Sequence, residues 1–178
     1  RDADVASAEP DRRVRRTLLP NDTLFSAGGA QGPAVGQWYL RGPAGEVASS
    51  INAVAAWDQT TGSASVIVAV LDTGVRFAHP DLAGKLVGGY DFVSNEAGEP
   101  AISNDGDGRD ADPSDPGDWL TQSEINADPM FWEGCEASSS SWHGTMVSGI
   151  IGAATGNGAG MAGTGWNVRV MPVRVLGK

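Results

Sequence analysis

The residues Val66-Ile67-Val68-Ala69-Val70-Leu71, followed directly by Asp72, decide the fold class of this chain. A continuous run of β-branched and aliphatic residues, with no polar residue in it, is typical of a strand buried on both faces of a parallel sheet. We therefore predict a buried strand at 66–71, with Asp72 at its carboxyl end.

Two further segments extend this strand into an α/β unit. A helix is predicted to begin near His143, with Val147, Ile150 and Ile151 facing inward. Residues 168–176 predict a second buried strand. Because strand, helix and strand follow one another in this order, they indicate a right-handed crossover and an α/β domain with parallel strands.

Composition and charge limit the classes of function. Hydrophobic residues make up 40% of the 178, which is enough to fill a core. The net charge of -10 argues against a nucleic-acid partner, since phosphate backbones bind basic surfaces. No apolar run is long enough to span a membrane. The chain opens on Arg1-Asp2-Ala3-Asp4 and not on a signal peptide, so the protein is either cytoplasmic or preceded by a targeting segment.

Asp72 and His143 are the candidate catalytic residues. Asp72 stands at the carboxyl end of a predicted parallel strand, where catalytic groups gather in open α/β sheets. A carboxylate on a strand end and an imidazole at a helix start can hold a fixed hydrogen bond, which is half of a Ser-His-Asp triad. Taken alone, Asp72 has the alternative role of a turn former, and His143 that of a structural helix-start residue.

Four motifs, in this order, resemble those of the subtilase family of serine proteases. They are V-A-V-L-D-T-G-V at 68–75, H-P-D-L at 79–82, W-H-G-T-M-V-S-G-I-I-G-A at 142–153 and V-R-V-M-P-V-R-V-L-G at 168–177. The resemblance covers roughly residues 20–178. The paired Asp and His motifs carry it, since a lone D-T-G also occurs in aspartic proteases.

This resemblance implies a three-layer, subtilisin-like α/β fold, whose mainly parallel central sheet is flanked by helices and is incomplete in this chain. It implies a serine endopeptidase that hydrolyses peptide bonds in proteins, with His143 as the base and Asp72 as its orienting partner. The family's nucleophilic serine and oxyanion-hole asparagine are expected on a C-terminal remainder, so this chain alone is expected to be inactive. Met146 and Ser148 depart from many relatives, which have His and Ala there. The alternative is a non-catalytic fragment or pseudo-protease that serves as a binding module.

Calcium is the cofactor that the resemblance implies. One site would combine two carboxylates and one amide with the main-chain carbonyls of a glycine-rich loop, all of them hard oxygen ligands. Its ligands are expected to be Asp22, Asp81 and Asn157 through their side chains, and Ala154, Ala159 and Met161 through their carbonyls.

A second calcium site is predicted in the acidic stretch that follows. Alternating carboxylates on a glycine-rich loop converge readily on one cation, although the spacing is not that of an EF-hand. The alternative is a solvated acidic insertion. The candidate ligands are Asp105, Asp107, Arg109 through its carbonyl, Asp110, Asp112 and Asp115.

The resemblance also divides the chain and suggests its location. Residues 1–20 are predicted to be an N-terminal extension or propeptide remnant, and residues 21–178 the N-terminal part of the catalytic domain. Similarity to extracellular bacterial subtilases implies secretion, zymogen processing and a disulfide from Cys135 to the C-terminal remainder. The alternative for Cys135, the one cysteine of the chain, is an unpaired thiol.

Overall fold

A computed structural model of the chain describes residues 18–26, 36–43, 47–95 and 102–178, so most of the predicted N-terminal extension lies outside the described residues. The helices are α1 (Thr23–Ser26), α2 (Ala53–Trp57), α3 (Gln122–Ala127) and α4 (His143–Gly152). The strands are β1 (Ile67–Asp72), β2 (Tyr90–Asp91) and β3 (Arg169–Arg174). Short 3₁₀ turns lie at Trp38–Leu40 and Pro80–Leu82. No helix in these ranges is both long enough and apolar enough to cross a membrane.

The three strands form one parallel sheet in the order β1-β3-β2. Ile67 lies opposite Arg169, and Asp72 lies opposite Arg174. After β1 the chain runs through β2 and α3 to α4, and it then returns as β3 parallel to β1, as a crossover requires. The predicted α/β domain with parallel strands is therefore confirmed.

One face of the sheet packs against α4 through small side chains. The buried residues of α4 include Ser148, Gly149 and Gly152. A Cβ atom at Gly152 would lie 3.0 Å from Cγ2 of Val170, so glycine lets the helix approach β3 closely. The predicted inward face of α4 is wrong for Ile150, which is 46% exposed. Glycine and serine occupy the contact instead, because they permit a closer approach than isoleucine does.

The opposite face of the sheet is open in the described part of the chain. Ile67 is 53% exposed and Leu71 is 63% exposed, while Val70 between them is buried. On β3 the alternation is the same, with Met171 and Val173 only partly buried. The prediction that the first strand is buried on both faces is therefore wrong for this chain, because α4 covers only one of them.

A small core ties the N-terminal segment to the loop that follows α4. It consists of the buried residues Phe25, Leu40, Ala53, Trp57 and Ala162. The indole N–H of Trp57 donates to the carbonyl of Thr164 (2.9 Å), and Leu24 N–H donates to the carbonyl of Gly160 (2.8 Å). These contacts bring Asp22, just before α1, to the loop of residues 154–161.

Candidate active site

Asp72 and His143 are in direct contact. Nδ1 of His143 lies 2.8 Å from Oδ2 and 2.9 Å from Oδ1 of Asp72. Asp72 is buried, at 6% exposure, whereas the side chain of His143 is 58% exposed. The last residue of β1 and the first residue of α4 thus place a buried carboxylate under an accessible imidazole.

The close approach of α4 to β1 depends on Gly144. A Cβ atom there would lie 2.2 Å from the carbonyl oxygen of Gly74 and 3.1 Å from Cβ of Asp72, so no larger residue fits. Trp142, just before the helix, has the positive φ of 53° that is unusual for a residue other than glycine. Its ring is held by the guanidinium group of Arg76, 4.9 Å from the ring centroid.

Thr73 fixes the carboxylate and the helix start at the same time. Its N–H donates to Oδ1 of Asp72 (2.8 Å), and its Oγ1 accepts a hydrogen bond from Gly144 N–H (3.1 Å). The Thr73 hydroxyl then donates to Oδ2 of the buried Asp115 (2.7 Å). This role of Thr73 was not predicted from the sequence, and Asp115 was predicted to be a calcium ligand. The position of Thr73 directly after Asp72 was the available signal.

This arrangement can act as a general base. Since Nδ1 faces Asp72, Nε2 is the nitrogen available to a reacting hydroxyl, and the carboxylate would stabilise the imidazolium that forms. Among the described residues, the hydrogen bonds of the ring go to Asp72. Ser141, in the serine cluster that precedes the helix, contacts the His143 peptide N–H instead of the ring (3.2 Å).

The six residues predicted for the first calcium site lie around the 154–161 loop. Oδ2 of Asp22 accepts from Gly156 N–H (2.8 Å), whereas its Oδ1 is buried without a hydrogen-bond partner. Asp81 accepts from the amide of Asn157 (2.9 Å) and from Met161 N–H (2.8 Å). Ala154 donates its N–H to the Asp81 carbonyl (2.7 Å), and Ala159 donates its N–H to the Asn157 side chain (2.8 Å).

This donor set fits a calcium ion. A buried carboxylate oxygen without a donor is costly, and a cation would satisfy the one on Asp22. The site has only two carboxylates, so Ca²⁺ would take its other ligands from carbonyl and amide oxygens of the 154–161 loop, as hard cations do.

Among the described residues, no three carboxylates of the second predicted calcium site lie around one centre, although desolvation and the nearby charges of Asp105 and Asp110 raise the pKa of Asp107. We call residues 103–118 the acidic loop. Asp105 contacts Arg174, and Oδ1 of Asp115 accepts from Gly117 N–H (2.8 Å). The remaining candidates, Asp107, Arg109, Asp110 and Asp112, follow the same loop. Asp110 accepts from Asp112 N–H (2.8 Å).

These contacts leave no common centre for a metal ion in the acidic loop. Within residues 18–26, 36–43, 47–95 and 102–178, no three carboxylate, imidazole or thiol groups lie where they could hold one. Four of its carboxylates, those of Asp105, Asp110, Asp112 and Asp115, are bonded to protein donors, as in the alternative of an acidic insertion, and the second calcium site stays a prediction.

Arg174 anchors the acidic loop to the sheet. Its buried guanidinium group contacts Asp91 (2.5 Å), Asp105 and the carbonyl of Ser103. Burial raises the pKa of Asp105, but hydrogen bonds from Ser103, from Asp107 N–H and from Arg174 outweigh it and lower that pKa below its ordinary value. The lowered pKa keeps Asp105 ionised beside the guanidinium group of Arg174.

A second ion pair supports the acidic loop from α3. The ammonium group of Lys178 contacts Glu124 and also donates to Oδ1 of Asn104 in the loop (2.7 Å). Hydrogen bonds from Lys178 and Thr121 lower the pKa of Glu124 to about 2. Thr121 and Glu124 form a capping box at the start of α3. This helix was not predicted, although the sequence pattern Thr-x-x-Glu could have revealed it.

Comparisons with known proteins agree on one family. The subtilase (peptidase S8) family model matches residues 63–178. An extracellular protease of Xanthomonas campestris pv. campestris is 42% identical over 99% of this chain and 26% of its own length. An extracellular basic protease of Dichelobacter nodosus is 37% identical over 98% of this chain and 26% of its own length.

A solved structure of proteases from Pseudoalteromonas arctica PAMC 21717 is also similar to this chain. It has a TM-score of 0.69 and 43% sequence identity, and the match covers 89% of this chain and 39% of that one. This chain thus spans about a quarter of the length of the two curated relatives.

Proposed function

Because this chain belongs to the subtilase family, we propose that the complete protein is a serine endopeptidase that hydrolyses peptide bonds in proteins. Family membership confirms the resemblance and the subtilisin-like α/β fold expected from the motifs. The observation that carries the proposal is the contact of 2.8 Å between the His143 imidazole and the Asp72 carboxylate.

In the proposed mechanism His143 removes the proton from a serine hydroxyl through Nε2, as that oxygen attacks the substrate carbonyl. The same nitrogen later returns the proton to the leaving amine. Asp72 keeps the other nitrogen protonated and stabilises the imidazolium. Burial of Asp72 strengthens this effect, since a charge pair interacts more strongly where water is excluded.

The serine and the oxyanion-hole asparagine belong, in this proposal, to a C-terminal remainder of the same protease. The open face of the sheet, with Ile67 and Leu71 more than half exposed, supplies a surface for that remainder. Residues 21–178 then form the N-terminal part of the catalytic domain, and residues 1–20 an extension or propeptide remnant. Without the remainder this chain is inactive.

Two further features of the complete protein are part of the proposal. Cys135 is exposed and has no disulfide partner among the described residues, so a disulfide to the remainder is sterically accessible. The extracellular relatives support secretion, which provides the oxidising environment that such a bond needs.

Calcium is proposed to bind at the 154–161 loop and to stabilise the fold. Asp22, Asp81 and Asn157 would hold it through side chains, and Ala154, Ala159 and Met161 through carbonyls. The bound cation would neutralise the buried oxygen of Asp22 and join the N-terminal segment to the loop after α4. No catalytic step passes through it.

A phosphonate probe and one substitution test the proposed function. The complete protease should be labelled covalently at its serine and should cleave a protein substrate. Asp72→Asn should lower kcat by about four orders of magnitude, because the carboxylate no longer fixes the tautomer of His143. Its fold, checked by circular dichroism, should be unchanged.

Absence of labelling together with absence of cleavage by the wild type would favour a binding module. A near-wild-type rate in Asp72→Asn would remove Asp72 from the mechanism.

A further inference from the structure

A second connection joins the acidic loop to the start of α4. Asp118 accepts two hydrogen bonds from Ser141, one from its N–H to Oδ1 (2.6 Å) and one from its hydroxyl to Oδ2 (2.7 Å). The oxygen of that hydroxyl accepts the N–H of His143 (3.2 Å). The first N–H groups of a helix have no partner within it. The Ser141 hydroxyl therefore accepts the hydrogen bond from the His143 N–H, and Asp118 orients that hydroxyl.

The next peptide of α4 is held in the same way. Gly144 N–H donates to the Thr73 hydroxyl, which donates to Asp115. Each of the first two N–H groups of α4 thus meets a hydroxyl that is oriented by a carboxylate of the acidic loop. Gly117 N–H, which donates to Asp115 (2.8 Å), lies directly before Asp118 and links the two carboxylates.

The backbone between Ser141 and His143 needs this support. Trp142 lies there with φ 53° and ψ 32°, a left-handed conformation that persists in such a residue only when its surroundings enforce it. The guanidinium group of Arg76 lies over the ring of Trp142, and Asp118 accepts the peptide N–H of the preceding residue, Ser141. The direction in which the His143 side chain leaves the backbone follows from both.

We propose that Asp118 is a positioning residue, which acts through Ser141 to orient His143 toward Asp72. This inference rests on the proposed function. The side chain of His143 is 58% exposed, so few neighbouring atoms restrict its ring. The contact with Asp72 alone would therefore not keep the ring in place if the backbone of His143 moved. The hydrogen bonds from Ser141 to Asp118 oppose that movement, because they fix the backbone two residues before His143.

Kinetics of the complete protease test this role with Asp118→Ala, Ser141→Ala and the double variant. Each single variant should lower kcat on the order of 10- to 100-fold, because small displacements of a catalytic base have effects of this size. KM should stay within about twofold, since substrate binding is not touched. The double variant should lose no more than either single one, because both residues act in one series of hydrogen bonds.

The matched control is Asp128→Ala. Asp128 also accepts a backbone hydrogen bond, from Phe131 N–H (3.0 Å), and within the described structure this bond stays outside α4. Its kcat should equal that of the wild type. Asp118→Glu, which keeps both acceptor oxygens, should recover most of the activity lost in Asp118→Ala.

Proton NMR of the His143 ring separates positioning from general damage and needs no turnover. In the wild type the proton on Nδ1, hydrogen-bonded to Asp72, should give a low-field signal that exchanges slowly with water. In Asp118→Ala this signal should broaden through faster exchange, because the ring is no longer held toward Asp72. If Asp118→Ala does not fold, the same measurement on Ser141→Ala decides. Additive losses in the double variant, or an unchanged signal, would overturn the positioning role. A wild type that cleaves nothing would refute the proposed function alone, since the NMR signal is still read.

Discussion

Two groups of carboxylates in this molecule look alike in the sequence and differ in their surroundings. Beside the 154–161 loop, Asp22 keeps one buried oxygen that no protein donor reaches. In the acidic loop, Asp105 is bonded to Arg174, and Asp115 to Thr73 and Gly117. The difference teaches that the density of aspartate along the chain does not reveal which carboxylate oxygen lacks a protein donor.

The comparison also separates two ways of holding a surface loop near the catalytic pair. The acidic loop is fixed by protein cations and hydroxyls, which are present in every copy of the chain. Beside the 154–161 loop, one buried oxygen of Asp22 has no donor among the described residues, and the proposed calcium ion would satisfy it. Stability should therefore respond to mutation in the first region and to solution conditions in the second.

Arg174→Met should have the largest effect on stability. It removes a cation that is 1% exposed and leaves the carboxylates of Asp91 and Asp105 without their partner, which costs about 3–5 kcal/mol of unfolding free energy. Urea denaturation of the complete protein, blocked by a phosphonate inhibitor, measures this loss. Arg109→Met, at an exposed position with one contact to the Phe92 carbonyl, should change it by less than about 0.5 kcal/mol. Equal losses in both variants would show that the buried pairs do not hold the loop.

Calcium removal should have the next largest effect. With calcium at about 100 times its dissociation constant, chelation should cost about 2.7 kcal/mol and lower Tm by about 5–10 °C, since a ligand of the folded state stabilises it by mass action. Asp22→Asn should abolish this dependence on calcium, and Asp112→Asn should retain it. Differential scanning calorimetry with and without chelator gives the answer, and the reverse pattern would move the site to the acidic loop.

The effect of pH on the Glu124–Lys178 pair should be the smallest. The pKa of Glu124 is lowered to about 2, below its value in the unfolded chain. Its ionised form therefore adds stability above the unfolded pKa, and that contribution is lost as the pH falls toward 2. The difference in Tm between wild type and Glu124→Gln should be present at neutral pH and vanish in acid. Glu133→Gln, at an exposed position without an ion pair among the described residues, should show no such difference. A pH-independent difference for Glu124→Gln would contradict this reading.

The sequence was sufficient for the features that depend on local patterns. Asp72 and His143 could be located because each stands at the end of a regular element with a motif around it. The parallel strands followed from the aliphatic runs at 66–71 and 168–176.

Tertiary packing decided the features that the sequence could not give. The contact face of α4 consists of Ser148, Gly149 and Gly152, which carry little apolar signal, whereas Ile150 carries a strong one and is exposed. Arg174 and Asp105 are 69 positions apart, so no local pattern connects them. Asp118 was invisible for the same reason, since its partner Ser141 lies 23 positions away.

The uncovered face of the sheet has a consequence for biosynthesis under the proposed function. If a C-terminal remainder covers this face as proposed, translation delivers the exposed Ile67, Ala69 and Leu71 before the covering segment. Domains of nascent chains begin to fold from the amino end, so β1, α4 and β3 can assemble with this aliphatic strip still in contact with water. Exposed strips of this kind promote association with other chains. A chaperone for the proposed complete protease would therefore act between the synthesis of β3 and that of the covering segment.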